Sequence, residues 1–261
     1  MAGHRLFPDL QSRKETPTED FNSNVLALAL NSTALVIRAP VVILALTLHE
    51  FMHGYVAWRC GDPTARNMGR LTLNPLHHLD PIGTICLFLG PIGWAKPVIV
   101  NPLNFRRPSR DDMLVSFAGP GINFAIAIGL CLVMRLLVAM DYWPAEESLG
   151  FILCQFLSVG AILNFALGLF NLIPLGPLDG HHILRELLPP RARDKYLAFN
   201  RYGMFIILAL IMLPRLVRGT PNILWEILGP PLVLLLRIFA GDGGAYRIEV
   251  WYDSVGWLIR G

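Results

Sequence analysis

Charge is scarce in this sequence. Only 16% of its 261 residues are Asp, Glu, Lys or Arg, and the two signs nearly cancel to +3. No electrostatic footprint for a nucleic acid is present, so no nucleic-acid partner is expected. Paired cysteines are missing too. Cys60, Cys86, Cys131 and Cys154 form no C-x-x-C pair, so neither a disulfide framework nor a thiolate zinc site is suggested. They read as small buried hydrophobes. No internal repeat and no low-complexity tract occurs, which points to one domain. Residues 1–23 lack the apolar core of a cleaved signal and read as a flexible polar tail.

Apolar residues are what the chain has in excess: 54% of it, with a mean hydropathy of +0.50. A bilayer crossing needs roughly 20 such residues in a row. Pro40 to Trp58 meets that length, and residues 113–140 and 149–173 are clear spans. Residues 25–37, before the break at Arg38-Ala39-Pro40, are short: an interfacial helix, a tilted extension or an extra span. Residues 202–214 and 222–240 look like a closing pair. Residues 241–261 read as a Gly-rich turn and an interfacial tail with Tyr246, Trp251, Tyr252 and Trp257. The expectation is an all-α polytopic membrane protein of about five or six transmembrane helices. Its membrane-embedded domain would cover residues 24–240.

Residues 81–100, "PIGTICLFLGPIGWAKPVIV", are apolar but carry Gly and Pro at their centre, which suits no straight helix. Arg59, Arg66 and Arg70 precede them, and Arg106, Arg107 and Arg110 follow. Both flanks are inside by the positive-inside rule, so the segment should be re-entrant. Such backbone must be shielded by protein or line a cavity. Loop 141–148, without Lys or Arg, should lie outside, and 185–201, with Arg185, Arg191, Arg193, Lys195 and Arg201, inside. Arg215 and Arg218 break the rule if their loop lies outside.

His49-Glu50-Phe51-Met52-His53 is H-E-x-x-H within an apolar run. Ionisable groups there are costly unless they serve a purpose. On a helix the two imidazoles share a face and can reach one metal, with Glu50 beside it as a proton acceptor. A catalytic zinc takes three protein ligands and keeps one position open. "NLIPLGPLDGHH" (171–182) offers Asp179, provided that 174–180 folds back into the membrane. Pro174, Gly176, Pro177 and Gly180 allow that fold; they equally suit a loop leaving the bilayer.

H-E-x-x-H in a span, followed far downstream by N-x-x-P…L-D-G, resembles the site-2 protease family of intramembrane zinc metalloproteases. "GDPTARNMGRLTLNPLHHLDPIG" (61–83), "GWAKPVIVNPLNFR" (93–106) and "AGPGINF" (118–124) resemble its compact prokaryotic branch. The resemblance implies Zn2+ held by His49, His53 and Asp179, with Glu50 as general base. It implies that Asn171 and Asn123 position substrate or flank the site. Three core helices, about 40–60, 113–140 and 149–173, would surround a re-entrant, partly β hairpin segment at 81–100. The substrates would be single-span membrane proteins, cleaved in or near their spans as in regulated intramembrane proteolysis. The setting would be a prokaryotic cell membrane, with the active site toward the cytoplasm. Gly176 stands where the family usually has proline, which loosens the loop before Asp179. His181-His182 also departs from the pattern and reads as a pair of loop histidines. His77 and His78 read as hydrogen-bonding loop residues. No PDZ-like or CBS-like extension is expected. A metal transporter would need polar residues on several spans. A catalytically silent relative would be expected to lose Glu50 or Asp179. A Glu-liganded membrane protease would have to use Glu186, which lies among arginines.

Overall fold

The computed structural model describes residues 32–83, 94–145, 148–217 and 219–253. The described chain is mostly helical. The long helices are α1 (Ser32–Cys60), α2 (Pro108–Ala139), α3 (Leu149–Asn171) and α7 (Ile223–Asp253), and three shorter ones, α4 (Asp179–Leu187), α5 (Pro190–Asn200) and α6 (Gly203–Leu216), lie between α3 and α7. Among the described residues, four stretches are long and apolar enough to cross a membrane: Val36–Cys60, Pro108–Ala139, Leu149–Asn171 and Ile223–Ile248. The chain is therefore a multi-pass membrane protein.

Residues 32–37 form the first turns of α1, which runs unbroken through Pro40. Of the three readings of 25–37, the described part fits the extension. Pro40 costs one ladder bond, and within a bundle the freed carbonyl finds other partners.

The helices pack through small residues, as expected where lipid gives no hydrophobic drive to association. A Cβ on Gly160 of α3 would come within 2.7 Å of Leu130 of α2, and one on Gly168 within 3.1 Å of Phe124. Around these contacts lies a core of Ile37, Val41, Cys131, Met134, Phe165, Leu232 and Leu236.

Among the described residues there are four or five candidate crossings, against the five or six expected. Residues 203–216 form a helix of 14 residues, about 21 Å long. It follows α5 across a 51° bend, and among the described residues that bent pair, taken as one, would make a fifth span. Contacts hold α7 in the bundle. Phe239 stacks on Phe165, whose ring also meets Phe124. Past a break at Gly241, Gly244 approaches Met134, and Arg247 donates to Tyr142 O at 2.7 Å.

The centre of the expected re-entrant hairpin, 84–93, lies outside the described residues. Its flanks meet in a single antiparallel bridge, Leu79 to Ala95. Among the described residues there is no strand, so the β hairpin is not supported. Residues 96–100 have no regular secondary structure. The tail expected from residue 241 begins with a break at Gly241 (φ 73°), after which α7 continues to Asp253.

Candidate metal centre

H-E-x-x-H lies on α1 opposite the middle of α2. His49 and His53, four residues apart, are both buried. Each ring has its Nδ1 committed. His53 Nδ1 lies 2.7 Å from Val115 O, a carbonyl that can only accept, so this nitrogen carries the hydrogen. His49 Nδ1 lies 2.6 Å from Asn123 Oδ1. The direction of that bond is set elsewhere. Asn164 Nδ2 donates to Gly160 O at 2.9 Å, which leaves Asn164 Oδ1 to accept from Asn123 Nδ2 at 2.9 Å. Asn123 then presents its oxygen to His49. The polarity runs from a backbone carbonyl of α3, through two amides, to the imidazole.

Both Nε2 atoms are therefore lone pairs in the neutral rings, and they face each other at 3.0 Å. Asp179, the first residue of α4, completes the group. Its Oδ2 lies 3.2 Å from His49 Nε2 and its Oδ1 3.4 Å from His53 Nε2. Asp179 Oδ2 is buried without a hydrogen-bond donor. One ligand atom from each residue falls within 4.8 Å of the others. Ligands at about 2.0–2.1 Å around a tetrahedral zinc are separated by roughly 3.3 Å. Three lone-pair donors at those spacings, with no hydrogen between them, fit a cation better than they fit one another.

Space for an ion is kept by Gly119. A Cβ there would fall 2.4 Å from His53 Nε2 and 2.6 Å from His49 Nε2. In the sequence Gly119 stands out only as part of 118–124; in the structure it lies against both Nε2 atoms. Gly180 has the same intolerance on the other side, since a Cβ would meet Leu172 O at 2.3 Å.

Glu50 is half-buried beside the trio. Its Oε2 accepts from Val98 N–H at 2.9 Å. The segment bearing Val98 is fastened on both sides. Lys96 N–H donates to His78 O at 2.8 Å, and Arg70 reaches Lys96 O at 2.8 Å and Pro97 O at 3.2 Å. Asn101 N–H donates to Asp62 Oδ2 at 2.7 Å. Asp62, at the end of α1, also accepts from Thr64 and Asn104. Burial pushes the Asp62 carboxyl up, but these four donors outweigh it and hold it below the usual carboxylate range.

Of the residues singled out from sequence, His49, His53, Asp179, Glu50 and Asn123 come together. Asn171 does not join them: its amide turns back on Leu167 O of its own helix at 3.0 Å. His181 meets the Tyr196 hydroxyl at 3.0 Å, and His182 lies 3.4 Å from Asp112. His78 donates to Thr72 O at 2.7 Å, as a loop histidine should, while His77 is exposed. Asn164 was missed. Its sequence signal is an amide within an apolar helix, four residues after Gly160 and seven before Asn171.

A family model described as Peptidase family M50 matches residues 138–214. That stretch contains Asn164 and Asp179 and begins after H-E-x-x-H. The protein named "Putative zinc metalloprotease YwhC" from Bacillus subtilis is 41% identical over 201 residues, 76% of this chain and 89% of that protein. "Putative zinc metalloprotease Rip2" from Mycobacterium tuberculosis is 32% identical over 179 residues, 67% of this chain and 66% of its own length. "Zinc metalloprotease MJ0392" from Methanocaldococcus jannaschii is 27% identical over 164 residues, 62% of this chain and 38% of that protein. No solved structure gives a significant match.

Proposed function

Because the chain belongs to peptidase family M50, the site-2 proteases, and is a zinc metalloprotease, we propose that it hydrolyses peptide bonds in or near the transmembrane segments of single-span membrane proteins. His49, His53 and Asp179 hold the zinc, and Glu50 is the general base. The observation that carries this reading is the convergence of three lone-pair donors from α1 and α4 on one point, with Glu50 alongside.

When bound, zinc supplies Lewis acidity toward the scissile carbonyl and lowers the pKa of a water to about 7. The protein's own groups do the rest. Asn123 and Val115 hold the two imidazoles in the tautomer that turns Nε2 inward. Val98 N–H fixes one oxygen of Glu50 and leaves the other to take the proton of the attacking water. Glu50 then returns that proton to the leaving nitrogen.

The site lies 11 residues from the end of α1 at Cys60, a depth of about 16 Å along the helix axis. A substrate helix has to unwind to expose a peptide bond there. Extended peptides add to exposed backbone edges, and residues 95–101 offer one beside Glu50. The basic end of the bundle, with Arg59, Arg106 and Arg107, faces the cytoplasm of a prokaryotic cell under the positive-inside rule, so the site opens toward that side.

Incubation of the purified protein in liposomes with a panel of single-span peptides, with cuts mapped by mass, tests this. Wild type should cleave within or beside a span, and Glu50→Gln should retain zinc without cleaving. Cleavage by Glu50→Gln at the wild-type rate would overturn the assignment of the base.

A further inference from the structure

The loop between α3 and α4 has no regular structure of its own, yet it delivers Asp179 to the imidazoles. We propose that Asn200 and Tyr196, on the elbow between α5 and α6, are positioning residues for this third ligand. The proposal rests on the zinc site above.

Three contacts tie the loop to the elbow. Gly176 N–H donates to Asn200 Oδ1 at 2.8 Å. The Tyr196 hydroxyl donates to Pro174 O at 2.9 Å. Since that hydroxyl hydrogen is spent, the 3.0 Å contact between Tyr196 and His181 Nδ1 is a bond that the imidazole donates. Tyr196 thus bridges the residue five before Asp179 to the residue two after it. Tyr196 and Asn200 are four apart on α5 and share a face. Gly203, which opens α6, presses its backbone on the loop: a Cβ there would fall 2.5 Å from Gly176 O.

Asp179 itself has little other support. Its Oδ2 has no hydrogen-bond donor, and both oxygens meet only imidazole nitrogens that lack hydrogen. The carboxylate is consequently placed by the backbone that carries it, and the elbow fixes that backbone. The arrangement also accounts for Gly176. A proline has no N–H to give Asn200, so the flexibility of glycine is offset by a bond that only a non-proline residue makes. It gives the bent pair α5–α6 a task at the site.

The test uses the full-length chain purified in detergent, loaded with zinc or with cobalt(II). Zinc affinity is read by chelator competition, ligand geometry by the visible cobalt spectrum, and fold by the melting temperature of the metal-free forms. Asn200→Leu and Tyr196→Phe should each weaken zinc binding by about 10- to 100-fold and shift the cobalt bands, with metal-free melting close to wild type. Asn200→Asp keeps the acceptor and should restore both readouts. Wild-type affinity and spectrum in Asn200→Leu and Tyr196→Phe would overturn the proposal, as would failure of Asn200→Asp to rescue. If zinc affinity depends on Asp179 but not on the elbow, only this inference falls. If the wild-type chain has no zinc affinity, the zinc site falls with it.

Discussion

The Nε2 atoms of His49 and His53 stand 3.0 Å apart, and the Nδ1 of each ring is bonded to an oxygen on α2. In neutral rings this sets lone pair against lone pair, with the Asp179 carboxylate closing the third side. The arrangement is repulsive until a cation sits among them. Metal removal should therefore lower the melting temperature, and added zinc should restore it in proportion to the logarithm of its free concentration. Calorimetry in detergent across a zinc titration checks this; a melting temperature indifferent to zinc would contradict it.

Asn123 transmits the polarity of Gly160 O to His49. Asn123→Leu leaves the His49 Nδ1–H without an acceptor and frees the ring to turn. Zinc affinity should fall by about 10- to 100-fold, the range for partners of ligating histidines. Asn164→Leu, one step farther from the ring, should cost less. Chelator competition on the two variants ranks them.

Gly119→Ala puts a methyl group 2.4 Å from His53 Nε2 and 2.6 Å from His49 Nε2. Both rings are held at Nδ1, by Asn123 and by Val115 O, which resists their turning away. The variant should fold and lose both zinc and cleavage. Gly129→Ala, which meets nothing within 4 Å, is the control and should behave as wild type.

Asp62 ties the end of α1 to Asn101, just past the segment that holds Glu50. Its carboxyl is held below the usual range, so its contribution to stability is complete above the unfolded value of about 3.9 and is lost as pH falls through the lower folded value. Asp62→Asn turns an amide toward some of these donors and should cost about 1–3 kcal/mol near neutral pH. The gap from wild type should narrow in acid. Denaturation midpoints measured from pH 7 downward give both the size and the sign.

Asn104, before α2, and Asp141, after it, lie at opposite ends of a helix long enough to cross the membrane. Single cysteines at these positions, in a background without Cys60, Cys86, Cys131 and Cys154, should divide accordingly. Asn104→Cys should react with an impermeant thiol reagent from one side, and Asp141→Cys from the other. Labelling of Thr220→Cys together with Asp141→Cys would mean that α5–α6 crosses; labelling together with Asn104→Cys would mean that it does not. Labelling of Asn104→Cys and Asp141→Cys from the same side would contradict a crossing by α2.

What could be read from sequence was local. H-E-x-x-H declares itself because helical spacing alone puts its two imidazoles on one face. Asp179 required a loop to fold back, which spacing allows but does not require. Asn164 gave no metal signature, because it acts through Asn123 and touches no ligand. Gly119 gave no signal of its own, because the imidazoles it meets are far away in sequence. A crossing at α6 was not legible, because an apolar run of 14 residues reads alike whether it spans a bilayer or packs beside a loop.

The zinc content of purified full-length protein bears most directly on the claim that one ion joins α1 to α4. Elemental mass spectrometry should find about one zinc per chain in wild type and Glu50→Gln, and almost none in His53→Ala or Asp179→Ala. A wild type without zinc, or an Asp179→Ala variant that keeps a full equivalent at wild-type affinity, would contradict it.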